Sequence, residues 1–304
     1  MFANYGVAKT LSIPIVSLSK QAQSFGEGDL DTPLQLSGAS ELEKLADVLD
    51  ETRQKLKMYI LEMVEKKKIE TELSIAKKIQ MNILPDRNSY KDIKDIQLST
   101  HLESAKDVGG DFYDVFSVGE LLYFVLGDVS GKGVPAALLM AVTKTIVKAI
   151  ASRQLSPSEI LTQSNIELSM NNDEMMFVTI FIAVYDKSKQ RLTFCSAGHP
   201  PPYLISGDQV TELETTPCAA LGVVPDQAYA SKEISFEQGQ SLFIFSDGVT
   251  EAMNVEDELF SEARVIAALE KTSHQSAATI TANMVAEVAK FTTGAPPSDD
   301  ITIF

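Results

Sequence analysis

Leu126-Gly127-Asp128-Val129-Ser130-Gly131-Lys132-Gly133-Val134-Pro135-Ala136 decides how this chain is read. Residues 121–127 ahead of it form a β-favouring apolar run, and residues 135–152 behind it have the spacing of a helix after a Gly/Pro start. A carboxylate is thus carried at a strand end, where flanking glycines let the backbone approach closely while the side chain faces a cleft. Three further turns carry aspartate: Val108-Gly109-Gly110-Asp111 and Phe245-Ser246-Asp247-Gly248, with glycine beside it, and Ser298-Asp299-Asp300-Ile301-Thr302, without. Any one of them alone reads as a surface turn. Four together, set against hydrophobic strands, imply carboxylates meeting at one place. Like charges gathered in that way repel unless a cation sits among them. All-oxygen ligands favour Mg²⁺ or Mn²⁺ over zinc or copper. The expectation is a metal-dependent hydrolase with two ions.

The 304 residues are enough for about two domains, and 44% hydrophobic content allows sizeable cores. Net charge is −16, unevenly placed. Residues 1–84 hold 11 Lys+Arg against 12 Asp+Glu, leaving 15 against 30 in residues 85–304. An acidic second part argues against nucleic-acid binding, which needs a basic face. Cys195 and Cys218 lack metal-type spacing and read as free thiols in a reducing compartment. No signal peptide is visible. The apolar stretch 134–151 contains Lys144 and Lys148 and reads as a buried helix exposing two lysines, not as a membrane span.

The first sixty residues are organised differently. Leu11, Ile15, Leu18, Ala22 and Phe25 form a helical stripe, ended by Gly26-Glu27-Gly28-Asp29. An extended connector, residues 30–40, carries Leu30, Leu34 and Leu36. Leu42, Leu45, Leu49, Thr52, Leu56, Tyr59 and Met63 then follow at heptad spacing, with Ser40 as N-cap. After Lys66-Lys67-Lys68 the stripe resumes one residue out of phase at Ile69, Leu73, Ala76 and Ile83, and Leu84-Pro85 ends the helix. Helix, glycine-bearing connector and second helix together resemble a HAMP signalling module, through Pro14, Gly28-Asp29-Leu30 and Glu41-Leu42. The resemblance implies a parallel homodimer through the N-terminal helices, normally beneath a transmembrane helix. The expected location is therefore cytoplasmic, either as a free protein or as the cytoplasmic part of an inner-membrane sensor whose anchor precedes residue 1.

From about residue 90, strands are expected at 97–103, 112–118, 121–127, 176–185, 191–196, 203–205, 232–236, 241–246 and 301–304, many joined by short turns. Helices are expected at 135–152, 157–170, 262–271 and 277–291. Strand groups interspersed with helix pairs suggest an α+β fold, with two mainly antiparallel sheets face to face and helices outside.

Residues 108–114 (Val-Gly-Gly-Asp-Phe-Tyr-Asp), 127–136, 196–202 (Ser-Ala-Gly-His-Pro-Pro-Pro), 245–251 (Phe-Ser-Asp-Gly-Val-Thr-Glu) and 298–302 resemble the metal-dependent (type 2C) serine/threonine phosphatases, in the bacterial branch that includes SpoIIE and RsbU. That resemblance implies a four-layer α-β-β-α sandwich over residues 89–304, preceded by a HAMP-like module (1–63) and a regulatory linker helix (64–88). It implies two Mn²⁺ or Mg²⁺ ions: Asp128 bridging both, the Val129 carbonyl adding a ligand, Asp111 on the second ion, and Asp247 and Asp299 completing the first. An exchange of roles between Asp299 and its neighbour Asp300 stays open. Asp300, Asp114, Lys132 and His199 are candidates for supporting the ligands or touching substrate. Lys132 reads equally as a phosphate contact or a solvated turn residue, and His199 as a general acid or as a loop residue bonded to backbone. His101 and His274 read as surface residues. The implied substrate is a phosphorylated protein, an anti-sigma-factor antagonist of STAS type, with control through the helix before residue 84 and residues 134–140 as its receiver. Two other readings are a non-catalytic phosphoprotein-binding adaptor, which would not need the complete carboxylate set, and a GGDEF-type nucleotide cyclase, which needs an acidic residue where Phe112 stands.

Overall fold

The computed structural model describes residues 12–37, 40–85, 93, 96–170 and 172–304. The chain divides into two compact units, Met1–Glu72 and Leu73–Phe304.

In the first unit, helix α1 (Ile13–Gly26) has Pro14 in its first turn, where a missing N–H breaks no helical bond. Leu11 lies outside the described residues. Helix α2 (Ser40–Ile83) is continuous across Lys66-Lys67-Lys68, so the phase slip in the apolar stripe is absorbed without a break. Leu18, Leu34 and Ala46 form a small core with Leu36 and Leu49 against it. The connector is tied to α2 by Asp50, whose Oδ1 accepts from the Leu34 amide at 2.8 Å and from Arg53 Nε at 2.8 Å. Arg53 also donates to the Leu30 carbonyl. Of the heptad seam, Leu45, Leu56, Tyr59 and Met63 all lie exposed in the single chain.

The second unit contains the strands. β2 (Phe112–Val118), β3 (Leu121–Val129), β4 (Val178–Asp186), β5 (Arg191–Ala197) and β8 (Lys232–Ser235) form an antiparallel sheet in the order β2-β3-β4-β5-β8. β6 (Tyr203–Ser206), β7 (Gln209–Glu212) and β9 (Gln240–Phe243) form a second, ordered β7-β6-β9. β10 (Ile301–Ile303) pairs with β1 (His101–Glu103). Reciprocal 2.8 Å backbone bonds between Ile244 and Phe304 attach that pair to β9, extending the second layer to β7-β6-β9-β10-β1. Between the layers pack Leu126, Phe181, Phe194, Leu192 and Ile244, whose alternation with residues of the outer face follows the period of two in a strand.

Helices α3 (Val134–Ala151) and α4 (Pro157–Ser169) cover the outer face of the first sheet, around Tyr123, Met140, Ile160 and Ile182. α4 starts with a capping box in which Ser156 and Glu159 satisfy each other's amides. Helices α6 (Ser261–Thr272) and α7 (Ala277–Phe291) cover the second sheet around Phe245, Val265, Leu269 and Met284. The result is the α-β-β-α arrangement expected from the sequence.

Several details differ. Residues 97–103 yield only the three-residue β1, and β7 and the single-turn helix α5 (Asp247–Thr250) were not anticipated. α3 is long and apolar enough to cross a membrane, yet it buries Ala136, Met140, Val147 and Ala151 against the domain. Its two lysines are not both exposed. Lys144 is buried, its Nζ 2.7 Å from Asp114 Oδ2, while half-exposed Lys148 lies 3.3 Å from the same oxygen. An Asp on β2 that would otherwise be a lone buried charge captures both.

Candidate active site

The four acidic turns lie at one end of the sandwich because antiparallel pairing returns the strand ends there. Phe112, at the start of β2, pairs with Gly127 near the end of β3, which sets Asp111 beside Asp128. On the other sheet, Ser246 and Thr302 exchange bonds: the Ser246 amide donates to the Thr302 carbonyl and the Thr302 amide to Ser246 Oγ, both at 3.0 Å. This places Asp247 next to the Asp299-Asp300 turn. Gly248 is required by that contact, since a Cβ there would lie 1.9 Å from the Asp300 carbonyl oxygen.

The buried Asp300 carboxylate holds backbone rather than facing the cleft. Its Oδ1 accepts from the Ala105 amide and its Oδ2 from the Gly110 amide, each at 2.8 Å. A Cβ at Gly109 would fall 2.0 Å from Asp300 Oδ2, so the Gly-Gly pair lets the turn close onto this carboxylate. Asp299 is partly exposed, and its Oδ2 lies 3.0 Å from Lys132 Nζ, which also donates to the Ser298 carbonyl. Thr302 Oγ1 donates to Asp111 Oδ2 at 2.5 Å. The other oxygen, Asp111 Oδ1, is buried with no hydrogen-bond partner.

Negative charge accumulates here. Burial and then the Asp128 carboxylate raise Asp111 well above the usual carboxylate range. Burial and then Asp247 push Asp128 up to about 7, and burial with Glu251 and Asp299 raises Asp247. Among the described residues, no three metal-ligating side chains close into a cage as they stand. The donors nonetheless suit a hard divalent cation: they are all oxygen, they repel one another, and one buried oxygen is orphaned.

The sequence-predicted residues separate into groups. Asp111, Asp128, Asp247 and Asp299 share the cleft, and the Val129 carbonyl lies against Gly110. Lys132 is an exposed turn residue whose Nζ pairs with Asp299. Asp114 turns away to Lys144 and Lys148. His199 is buried, with Nδ1 3.1 Å from Thr179 Oγ1 and its amide donating to Ser196 Oγ. Burial holds its imidazole neutral down to about 3, so it is poorly suited to donate a proton as a general acid. His274 is at the surface as expected, and there its Nε2 lies 2.6 Å from Asp208 Oδ1.

Gln80 escaped notice in the sequence. This buried residue near the end of α2 donates from Nε2 to the Gly109 carbonyl at 2.7 Å and accepts from the Gly109 amide at 3.3 Å. The available signal was a polar residue on the stripe formed by Leu73, Ala76 and Ile83.

The family model described as Stage II sporulation protein E (SpoIIE) matches residues 119–304, more than half of the chain. The chain belongs to the SpoIIE family. The HAMP domain model matches residues 6–58. Among relatives of the SpoIIE-family chain, Protein IcfG of Synechocystis sp. is 26% identical over 334 aligned residues, covering 99% of this chain and 52% of the relative. Phosphoserine phosphatase RsbU of Bacillus subtilis is 33% identical over 185 residues, covering 60% of this chain and 54% of RsbU. The chain spans about half the length of these two relatives. Among solved structures, the SiaA-PP2C domain of Pseudomonas aeruginosa superposes with a TM-score of 0.71 at 24% identity, over 79% of this chain and 96% of that one. The PP2C phosphatase domain of SpoIIE from Bacillus subtilis, with a fragment of its regulatory domain, gives a TM-score of 0.59 at 19% identity, over 67% and 60%. These two likenesses establish a shared fold. Family membership implies a metal-dependent mechanism.

Proposed function

We propose that this chain is a protein serine/threonine phosphatase that uses two divalent ions, Mn²⁺ or Mg²⁺. The observation that carries the reading is the buried Asp111 carboxylate beside Asp128, with one oxygen fixed by Thr302 and the other lacking any partner. Asp111, Asp128, Asp247, Asp299 and the Val129 carbonyl would hold the ions. When bound, such ions lower the proton affinity of water and neutralise charge on a phosphoryl group under in-line attack. The chain's own residues supply geometry. Thr302 fixes the rotation of Asp111, Asp300 and Gln80 together hold the Gly109-Gly110 turn, and Lys132 brings a positive charge to the rim at Asp299. Neither thiol takes part: burial raises both Cys195 and Cys218, and a thiol held protonated is a poor nucleophile.

The substrate we infer is phosphoserine or phosphothreonine on a partner protein, an anti-sigma-factor antagonist of STAS type. The phosphoserine part of this reading is supported by the similarity to RsbU, a phosphoserine phosphatase. The N-terminal helical unit would dimerise two chains and control activity through α2, which reaches the Gly109 turn at Gln80. Phosphate release from a phosphoserine peptide by the full chain, with and without Mn²⁺, tests the reaction. Activity that depends on Mn²⁺ and falls at least about a thousandfold in Asp128→Asn is expected. Equal activity in the two proteins would refute the assignment.

A further inference from the structure

Beside the Asp128 turn lies a surface that the proposed chemistry leaves unused. Met175 is 83% exposed, Met170 56% and Val223 53%, with Ile166, Phe177 and Val224 also exposed. Soluble surfaces tolerate such residues singly, but a contiguous group beside a reactive site marks a place where something binds. The segments that carry these residues are held together by two asparagines, one buried and one half-buried. Asn165 Nδ2 donates to the carbonyls of Val224 and Pro225, and its Oδ1 accepts from the Gly222 amide. Asn172 Nδ2 donates to the Met176 carbonyl and, at 3.3 Å, to that of Gly222, while its Oδ1 accepts from the Met176 amide. Ile166 and Met170 extend the same surface from the last turn of α4.

This platform is continuous with the site. The Ser130 amide donates to the Phe177 carbonyl at 2.9 Å, and the Phe177 amide returns a bond to Ser130 Oγ at 2.9 Å. Ser130 is two residues from Asp128. Phe177 is thus the exposed apolar residue bonded to the turn that carries Asp128, with Met175 two residues before it. The two segments that carry the platform have one sign: residues 163–177 and 221–227 contain Glu167, Asp173, Glu174 and Asp226 and no lysine or arginine. All four acidic side chains lie on exposed residues. Methionine is the adaptable residue for such a surface, since its unbranched, polarisable side chain conforms to different partners.

We propose that this surface is the docking platform for the phosphoprotein substrate, and that it selects partners carrying apolar side chains flanked by lysine or arginine beside the phosphorylated residue. The proposal rests on the phosphatase reading for the placement of the phosphoryl group. The acidic rim would otherwise repel a phosphoprotein, so basic residues next to the phosphoserine offset that repulsion while leucine-like side chains cover the exposed methionines.

The test uses two thirteen-residue phosphoserine peptides, one with leucines and lysines around the phosphoserine and one with glycines, serines and glutamates. Full chain, Met175→Lys and Val223→Lys are compared for Mn²⁺-dependent phosphate release, for peptide binding by fluorescence anisotropy, and for hydrolysis of p-nitrophenyl phosphate. The parent should favour the leucine–lysine peptide by about ten- to a hundredfold in kcat/KM, mostly through KM. Both variants should lose that preference and keep their activity on p-nitrophenyl phosphate. No preference in the parent, or a preference that survives both substitutions, overturns the platform. So does a drop in oligomeric mass by light scattering in Met175→Lys, because the surface would then be covered by a second copy of the chain. If the parent cleaves nothing, the phosphatase reading fails by itself. Anisotropy then decides the platform: selective binding lost in the variants upholds it, and equal binding of both peptides overturns it.

Discussion

The two units of this chain solve the burial problem in opposite ways. Leu73–Phe304 buries three apolar clusters between and outside its sheets, and it also buries carboxylates against one another at the ends of its strands. Met1–Glu72 buries Leu18, Leu34 and Ala46 and leaves Leu45, Leu56, Tyr59 and Met63 to solvent. A heptad seam exposed in this way is half of an interface, because knobs on one helix need holes on another. In the dimer proposed above, a second copy of the chain would cover this seam. The second unit is complete in itself and holds its unfavourable charges ready for a ligand. Perturbations should accordingly act on one unit and spare the other.

The largest effect is expected at Gly248. An added Cβ would collide with the Asp300 carbonyl, so Gly248→Ala should destabilise the catalytic unit by about 3 kcal/mol. A calorimetric scan should show its transition lowered by roughly 6–12 °C, with the transition of the helical unit unmoved. Next comes the buried pair between α3 and β2. Lys144→Met leaves Asp114 with Lys148 alone, costing about 2 kcal/mol by urea denaturation. Much of that loss should return in the double variant Asp114→Asn/Lys144→Met, which removes the uncompensated charge. Gln80→Leu should cost about 1 kcal/mol by the same measurement. It should also lower kcat more than it raises KM, since the Gly109 turn loses both bonds that α2 makes to it. The smallest effect on the catalytic unit belongs to the exposed seam. Leu56→Asp with Tyr59→Asp should convert a dimer to a monomer by light scattering and leave the catalytic transition where it was. A seam variant that melts the catalytic unit would undo the contrast between the units.

The sequence carried most of the fold because its periodicities are clean. β2 through β5, α3, α4 and α7 appear within a residue or two of where alternation and helical spacing place them. The weaker elements failed for identifiable reasons. Residues 97–100 look like strand but find no ladder, since β10 pairs only with His101–Glu103. β7 is a mostly polar edge strand formed by register with β6, which composition does not reveal. At the site, the aspartates were legible as a set because three of the four motifs pair aspartate with glycines that let backbone close onto it, and the fourth supplies the Asp299-Asp300 pair they close against. Individual partnerships were not legible. Lys144 spaced along an apolar helix looks like a solvated lysine until Asp114 is seen opposite it. Gln80 looks like an ordinary helix residue until Gly109 comes within hydrogen-bond reach, 29 residues along the chain.

Central to all of this is that Asp111, Asp128, Asp247 and Asp299 repel one another until divalent cations join them. Isothermal titration of the full chain with Mn²⁺ at neutral pH measures that directly. Two ions per chain, with stoichiometry or affinity sharply reduced in Asp111→Asn and in Asp128→Asn, is the expected outcome. A chain that takes up no Mn²⁺, or binds it equally well without either carboxylate, would contradict it.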